Sequence, residues 1–218
     1  MTFSLIGRCP RTGQLGAAVA TSAIAVGSRV AYCMAGVGAV LTQHRTDPRL
    51  GPRGLALLRS GCSAQQTVDA LVASTNLAHW RQIAALDATG NTAAFSGSRT
   101  RPEMSSAPAQ DACALGNILS SARVPAAMLR AFQADPTAPL AERLLRALEE
   151  GLAAGGEHGP VRSATLLVVE NQSFPLIDLR VDWHDQPIAE LRALWNRYAP
   201  QSSGFVLRAL DPDHASIP

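Results

Sequence analysis

Apolar runs of strand length alternate along the chain with longer amphipathic segments. Residues 2–8 and 15–21 are two such runs separated by turn residues, which is the pattern of a β-hairpin. Residues 98–111 combine Pro, Ser and charged residues without a regular period, so they predict an exposed loop. Further strands are predicted at 29–42 (one or two strands), 82–87, 92–96, 112–121, 163–169 and 176–181.

The amphipathic segments predict helices, and two of them begin with recognisable start signals. Pro52 fits the first helical position (N1) of one helix, and Ser63 with Gln66 forms a capping box before the next. The predicted helices cover 52–59, 64–74, 124–134, 139–154 and 187–198. Because adjacent strands alternate with helices, the order predicts the α+β class, with antiparallel sheets and helices on their outer faces.

Length and composition predict one domain. The chain has 218 residues, of which 47% are hydrophobic, so it can bury a sizeable core. Residues 1–199 are predicted to form this single domain. Residues 200–218 are rich in Pro, Ser and Asp, and predict a C-terminal tail that is partly ordered.

Charge and cysteine usage exclude several classes of function. The net charge of +2 is small and dispersed, so no nucleic-acid partner is expected. No apolar run reaches the roughly 18 residues of a membrane span, and Arg8 and Pro10 interrupt the first run before a secretory signal forms. The four cysteines have neither CxxC nor metal-ligand spacing, which predicts free thiols, no metal and a cytoplasmic protein.

The most informative chemistry lies at the start of the chain. Thr2 follows Met1 directly and opens the first predicted strand. Removal of Met1 would leave a threonine with both a free amine and a hydroxyl, and an α-amine titrating near 7.7–8.0 can accept the hydroxyl proton. The competing interpretation is that Met-Thr is simply a common beginning with no functional meaning.

The chain resembles the uncharacterised family DUF1028, which is usually grouped with the N-terminal nucleophile (Ntn) hydrolases. The similarity covers about residues 2–198, with Asp47 standing where the family pattern has asparagine. The stretches that carry it are MTFSLIGRCPRTGQLGAAVAT, AVGSRV, AGVGAVLTQ, GPRGLALLRSG, LDATGN, LGNIL, PLAERLLRALEEG, SATLLVV and LRVDWHDQPIAELRALW. The resemblance implies a four-layer αββα sandwich, like that of proteasome-type proteases and related amidohydrolases, but it supplies no established reaction. A hydrolase that needs no cofactor is the hypothesis that Thr2 adds to this fold.

In that hydrolase, four residues are candidate catalytic groups. Thr2 is the nucleophile, and Thr21 could hold its amine, although Thr21 also fits an ordinary β-branched strand residue. Arg29 could keep the amine neutral by its charge or be a surface arginine at a strand start. Asn117 could donate to an oxyanion or cap a turn. Ser4 is a fallback nucleophile on the same face as Thr2.

Two functions remain open from the sequence. The first is hydrolysis of an amide, lactam or acylated small molecule with Thr2 as nucleophile. The second is a ligand-binding or assembly protein of the same fold that retains Met1, because a fold does not determine a function. An enzyme using His44, Asp47 or Asn117 is a weaker third possibility. The partners expected are a small molecule and further copies of the chain, as a homodimer or larger homo-oligomer, with no membrane.

Overall fold

In a computed structural model, two antiparallel sheets and six α-helices form the protein, and the structure describes residues 1–100 and 102–215. The strands are β1 Thr2–Arg8, β2 Leu15–Thr21, β3 Ala31–Met34, β4 Gly38–His44, β5 Arg81–Asp87, β6 Thr92–Ser96, β7 Met104–Ala109, β8 Ala112–Asn117, β9 Ser163–Val169 and β10 Ile177–Val181. The helices are α1 Leu50–Arg59, α2 Ala64–Ala73, α3 Val124–Gln133, α4 Leu140–Ala153, α5 Pro187–Tyr198 and α6 Ser202–Leu210.

Every strand pairs antiparallel with its neighbour. The larger sheet has the order β10-β9-β2-β1-β8-β7, and the smaller sheet has the order β3-β4-β5-β6. β1 is central in the larger sheet, with Thr2 opposite Asn117 of β8 and Phe3 opposite Ala20 of β2. The predicted α+β class with antiparallel sheets is therefore confirmed.

The buried side chains form three hydrophobic clusters. One contains residues of the larger sheet and of α3, α4 and α5, and another contains residues of the smaller sheet with α1 and α2. The third joins the two sheets to each other. Successive residues of β1 alternate between clusters, since Phe3 and Leu5 pack with the helices whereas Ile6 packs against the smaller sheet.

Several predicted elements have the observed bounds. The hairpin strands run over Thr2–Arg8 and Leu15–Thr21, as the apolar runs predict. The capping box also forms, because the Ser63 hydroxyl accepts from the Gln66 N–H and the Gln66 side chain accepts from the Ser63 N–H. The four cysteines are free thiols, two buried and two half-buried.

The prediction of a loop over 98–111 is wrong, because this segment contains β7. Met104–Ala109 pairs with β8 at the edge of the larger sheet. An edge strand can be polar and can contain proline, here Pro108, because only one side of its backbone is paired. β7 is stabilised by its backbone hydrogen bonds to β8 and has no regular alternation of apolar and polar residues. The hydrophobic pattern of the sequence therefore does not predict this strand.

The C-terminal segment contains a helix. α6 lies within the residues predicted as a partly ordered tail, and Phe205 stacks on Tyr198 with ring centroids 5.2 Å apart. Residues 216–218 of that predicted tail lie outside the described residues. In the part of the chain that the structure describes, every helix is too short or too polar to span a membrane.

Candidate functional site

The space between the two sheets is apolar at one end and polar at the other. Alternation along β1 brings Thr2 and Ser4 to the same face as Ile6, which packs between the sheets. Alternate residues of β2 and β8 in the larger sheet, and of β4 and β5 in the smaller sheet, face the same space. The polar residues that this places at one end are Thr2, Ser4, Thr21, Gln43, Gln82 and Asn117, and all of them are buried.

Thr2 and Thr21 contact each other across β1 and β2. Their Oγ1 atoms are 3.3 Å apart, and both hydroxyls donate to the carbonyl oxygen of Met1. Thr2 is only 6% exposed, so its hydroxyl is largely shielded from water. This contact joins two of the four predicted site residues, and the nitrogen of Thr2 is held in the peptide bond to Met1.

Gln82 fixes the directions of the hydrogen bonds around this pair. Its Nε2 donates to the carbonyl oxygen of Gly116 (2.9 Å), which can only accept, so its Oε1 must be an acceptor. That Oε1 accepts from Gln43 Nε2 (2.7 Å) and from Asn117 Nδ2 (3.0 Å). One buried amide thus orients two others, as expected where buried polar groups form a connected network.

Asn117 lies directly across from Thr2 in the β1–β8 ladder. β8 ends there because Ile118 has a φ of 51°, a left-handed conformation that is strained for a β-branched residue. One N–H of the Asn117 amide donates to Gln82 Oε1. The buried Oδ1 of Asn117 has no hydrogen-bond partner among the described residues. The side chain therefore offers both an acceptor and its second N–H near Thr2.

Ser4 is committed to the buried network. Its hydroxyl donates to Gln43 Oε1 over 2.7 Å, and the residue has no solvent exposure. A hydroxyl that donates its proton to an amide oxygen has no adjacent base to activate it. This geometry gives Ser4 a role in orienting Gln43, and it favours Thr2 over Ser4 as the nucleophile.

Arg29 contacts its own loop. Its guanidinium donates to the carbonyl oxygens of Ile24 (2.7 Å) and Ala25 (2.9 Å). These bonds close the segment that follows Thr21 and precedes β3. The carboxyl of Glu157 raises the pKa of the Met1 amine, against the effect of burial. A role for Arg29 at the amine stays a prediction.

Glu157 is a site residue that the sequence analysis missed. The segment after α4 pairs with the end of β8 through a bridge between Leu119 and Glu157, and the side chain of Glu157 is only 5% exposed. Burial raises the pKa of Glu157 to about 7, against the opposing effects of the Met1 ammonium and of Ser22. The sequence feature that could have pointed to Glu157 is an acidic residue directly after two glycines, in Gly155-Gly156-Glu157.

His44 and Asp47 do not form an acid–base pair. His44 Nδ1 lies 2.9 Å from the carbonyl oxygen of Trp80. Asp47 accepts from Arg49 Nε and Nη2 (2.8 Å each), and those bonds are the main reason that its pKa falls to about 2. Asp47 Oδ2 also lies 3.8 Å from Arg81 Nη2. Both residues stabilise the loop after β4.

One open cleft lies away from Thr2. A cleft of about 360 Å³ occurs at the opposite end of the sheets, lined in part by Cys33, Val169 and Phe174. Within residues 1–100 and 102–215, no three His, Cys, Asp or Glu side chains are grouped so that they could hold a metal ion. The polar end around Thr2 is buried and hydrogen-bonded.

Comparison with known proteins gives a family and a relative of known structure. The crystal structure of protein SPO2555 from Silicibacter pomeroyi, a DUF1028 protein, is 32% identical with a TM-score of 0.84, covering 91% of this chain and 89% of that one. Anbu (ancestral beta-subunit) from Yersinia bercovieri is 10% identical with a TM-score of 0.39, covering 91% of this chain and 95% of its own. No curated protein matches the chain. The family of unknown function DUF1028 matches residues 2–191, and the chain therefore belongs to the DUF1028 family.

Proposed function

We propose that this protein is a cofactor-independent hydrolase of an amide, a lactam or an acylated small molecule, with Thr2 as an N-terminal nucleophile once its amine is free. The proposal includes the four-layer αββα arrangement of Ntn hydrolases. The observation that supports it most is the contact between Thr2 and Thr21 at the polar end of two packed sheets. A buried amide network orients Asn117 beside them.

The proposed reaction uses the chain's own groups. The Thr2 hydroxyl oxygen bonds to the substrate carbonyl carbon while its proton moves to the neutral α-amine, and the carbonyl electron pair moves onto oxygen. The free N–H of Asn117 stabilises that oxyanion. When the carbon–nitrogen bond breaks, the amine returns the proton to the leaving nitrogen, and water then hydrolyses the ester on Thr2.

Thr21 is proposed to orient the nucleophile. Its hydroxyl lies 3.3 Å from that of Thr2 and shares the Met1 carbonyl as an acceptor. Without Met1, both hydroxyls lose this acceptor, and the Thr2 amine becomes a new partner close to them. Thr21 would then fix the rotamer of Thr2 so that one lone pair of its oxygen faces the substrate.

A non-catalytic function is favoured by one specific contact. The Met1 carbonyl accepts hydrogen bonds from both threonine hydroxyls, so a retained Met1 blocks the amine and occupies the hydroxyls together. In that state the protein would be a ligand-binding or assembly protein. Self-association as a homodimer or larger homo-oligomer is part of both proposals and is supported by the exposed Phe205, Leu207 and Leu210 on α6.

Acylation by a β-lactone tests the hydrolase directly. Two proteins are made from fusions whose cleavage leaves either Met1 or Thr2 as the first residue. In the Thr2 form, attack by the hydroxyl opens the lactone ring, so the protein gains the full mass of the lactone at Thr2. We expect this adduct in the Thr2 form only, and an unmodified Thr2 in both forms would overturn the proposal.

A further inference from the structure

Glu157 is a buried acid with weak polar contacts. The residue is only 5% exposed, and neither carboxylate oxygen makes a hydrogen bond of ordinary length and angle with the described residues. Burial raises the pKa of Glu157, and Ser22, through its hydroxyl and N–H, is a neighbour that lowers it. Buried carboxyl groups are normally paired because desolvation of the charged form costs several kcal/mol. A buried polar group without a partner therefore requires an explanation.

The nearest explanation is the N-terminal amine. The Met1 side chain packs close to Gly159, two residues beyond Glu157, so the amine and the carboxyl lie at the same end of the sheet. The charge of Glu157 raises the pKa of the Met1 amine, against the effect of burial. The segment that carries Glu157 is anchored to the end of β8 by two backbone bonds, from Ser120 N to Gly156 O and from His158 N to Ile118 O. The carboxyl is thus held at the end of the sheet where β1 begins.

We propose that Glu157 is a positioning residue for the N-terminal amine, holding the amine by charge beside the Thr2 hydroxyl. The proposal rests on the proposed hydrolase function. The unpartnered Asn117 Oδ1, on the strand next to β1, is the second buried acceptor at this end and gives the amine another hydrogen-bond partner. When the amine is neutral, the two acceptors take its two N–H groups and leave its lone pair in a defined direction, which proton transfer from the hydroxyl requires.

Few other groups influence this pair. Burial lowers the pKa of the Met1 amine, whereas Glu157 raises it. On the neighbouring elements, hydrogen bonding from Ser22 lowers the pKa of Glu157, and the Met1 ammonium is, after burial, one cause of the lowered pKa of His44 on β4. His158 follows Glu157 in the chain. Replacement of Glu157 by a neutral residue therefore removes the negative charge that raises the amine pKa and leaves the effect of burial.

The absence of lysine makes the test direct. All 19 basic residues are arginine, so the α-amine is the single primary amine of the chain as printed. The rate of its acylation by acetic anhydride as a function of pH, followed by intact mass, gives its pKa. The measurement is made on the wild type, Glu157→Gln and Glu157→Asp, in the Met1 and Thr2 forms. Glu150→Gln, at an exposed position of α4, is the matched control.

In Glu157→Gln, we expect the amine pKa to fall by about one unit in both forms, since loss of a neighbouring opposite charge removes a shift of about one unit or more. Glu157→Asp restores part of the shift, and Glu150→Gln leaves the pKa unchanged. An unchanged amine pKa in Glu157→Gln would overturn the proposal. A fall confined to the Met1 form would also overturn it, because Glu157 would then not act on Thr2.

The amine pKa can be measured whether or not the protein is a hydrolase. If the amine pKa falls as expected but no β-lactone adduct forms, Glu157 still pairs with the amine and the hydrolase proposal fails alone. If the adduct forms and the amine pKa is insensitive to Glu157, the nucleophile assignment stands without this positioning residue. Circular dichroism confirms that each variant is folded before labelling.

Discussion

Thr2 and Asn117 are opposite each other in the antiparallel ladder of β1 and β8, and both side chains face the space between the sheets. Directly opposed residues in such a ladder have Cβ atoms about 4.5–5.5 Å apart. The pairing register therefore sets the distance between the proposed nucleophile and the proposed oxyanion donor. A slip of one residue would turn Asn117 to the helix side, so the site depends on the same backbone bonds that form the fold.

Replacement of Thr2 by alanine separates chemistry from folding. In the form that begins at residue 2, Thr2→Ala removes the only proposed attacking oxygen, so we expect no β-lactone adduct and no hydrolysis. Stability should change by only about 0.5–1.5 kcal/mol, the usual value of one hydroxyl hydrogen bond. Intact mass and urea denaturation measure the two effects.

Two further variants control this result. Thr2→Ser keeps the hydroxyl and should still be acylated, and Thr12→Ala, in the exposed hairpin turn, should match the wild type in both measurements. Acylation of Thr2→Ala at the wild-type rate would show that another residue is the nucleophile, with Ser4 as the next residue on that face.

The buried side chain of Gln82 should stabilise the fold through its hydrogen bonds, although it is polar. Gln82→Met preserves side-chain length but leaves the amides of Gln43 and Asn117 and the Gly116 carbonyl without their partner. Because buried groups without a partner cost about 1–3 kcal/mol each and partly relax, we expect a loss of about 2–4 kcal/mol. Urea denaturation measures this loss.

Gln65→Met is the matched control for Gln82→Met. Gln65 is exposed on α2 and bonds only to Asp69 among the described side chains, so the change should cost less than about 0.5 kcal/mol. In Gln82→Met the orientation of Asn117 is also lost, and acylation of Thr2 should slow. Equal stabilities for the two variants would contradict a structural role of the network.

The fold follows closely from the sequence where hydrophobic periodicity and local caps agree. The bounds of β1 and β2 and the Ser63–Gln66 capping box come from neighbouring residues, so they can be predicted without tertiary contacts. β7 could not be predicted in this way. It is an edge strand stabilised by backbone pairing with β8, and its side chains carry little pattern.

The site is only partly predictable for the same reason. Thr2 and Thr21 lie on one hairpin, so their contact follows from the hairpin register. The position of Glu157 depends on how the segment after α4 returns to the end of β8, a contact between residues far apart in sequence. Periodicity contains no information about such a contact. Arg29 lies close to β2 in the sequence, but this proximity did not indicate that its guanidinium donates to the carbonyl oxygen of Ile24.

Glu157 should lower stability as the pH rises. Burial raises its pKa in the folded protein to about 7 from the ordinary glutamate value of 4.5, so the folded state binds the extra proton between these values. Stability therefore falls from pH 4.5 to about 7 in the wild type. Glu157→Gln should remove this dependence and be more stable by about 1–3 kcal/mol at about pH 7.5, with little difference near pH 4.5.

Urea midpoints at several pH values measure this effect on the Met1 form. Glu150→Gln, at an exposed position, should follow the wild type at every pH. A constant difference between the wild type and Glu157→Gln across the range would mean that Glu157 is equally charged in the folded and unfolded states, contrary to its burial.

Asp47 should have the opposite pH dependence. Its carboxylate accepts two bonds from the Arg49 side chain, and the pKa falls from 3.8 to about 2. A lowered pKa stabilises the fold above about pH 4, and this stability is lost as the pH falls toward about 2. Asp47→Asn should therefore cost about 1–2 kcal/mol at about pH 7, a value reduced because Arg49 is exposed to solvent.

The difference between Asp47→Asn and the wild type should shrink between about pH 4 and 2.5, because the wild-type carboxyl is then increasingly protonated. Asp213→Asn, at an exposed position near the C-terminus, should show no difference at any pH. A cost that stays constant down to about pH 2.5 would show that Asp47 acts through shape rather than charge. Since Asp47 also lies near Arg81 at the end of β5, next to Gln82, loss of its charge should loosen the loop without changing the acylation of Thr2.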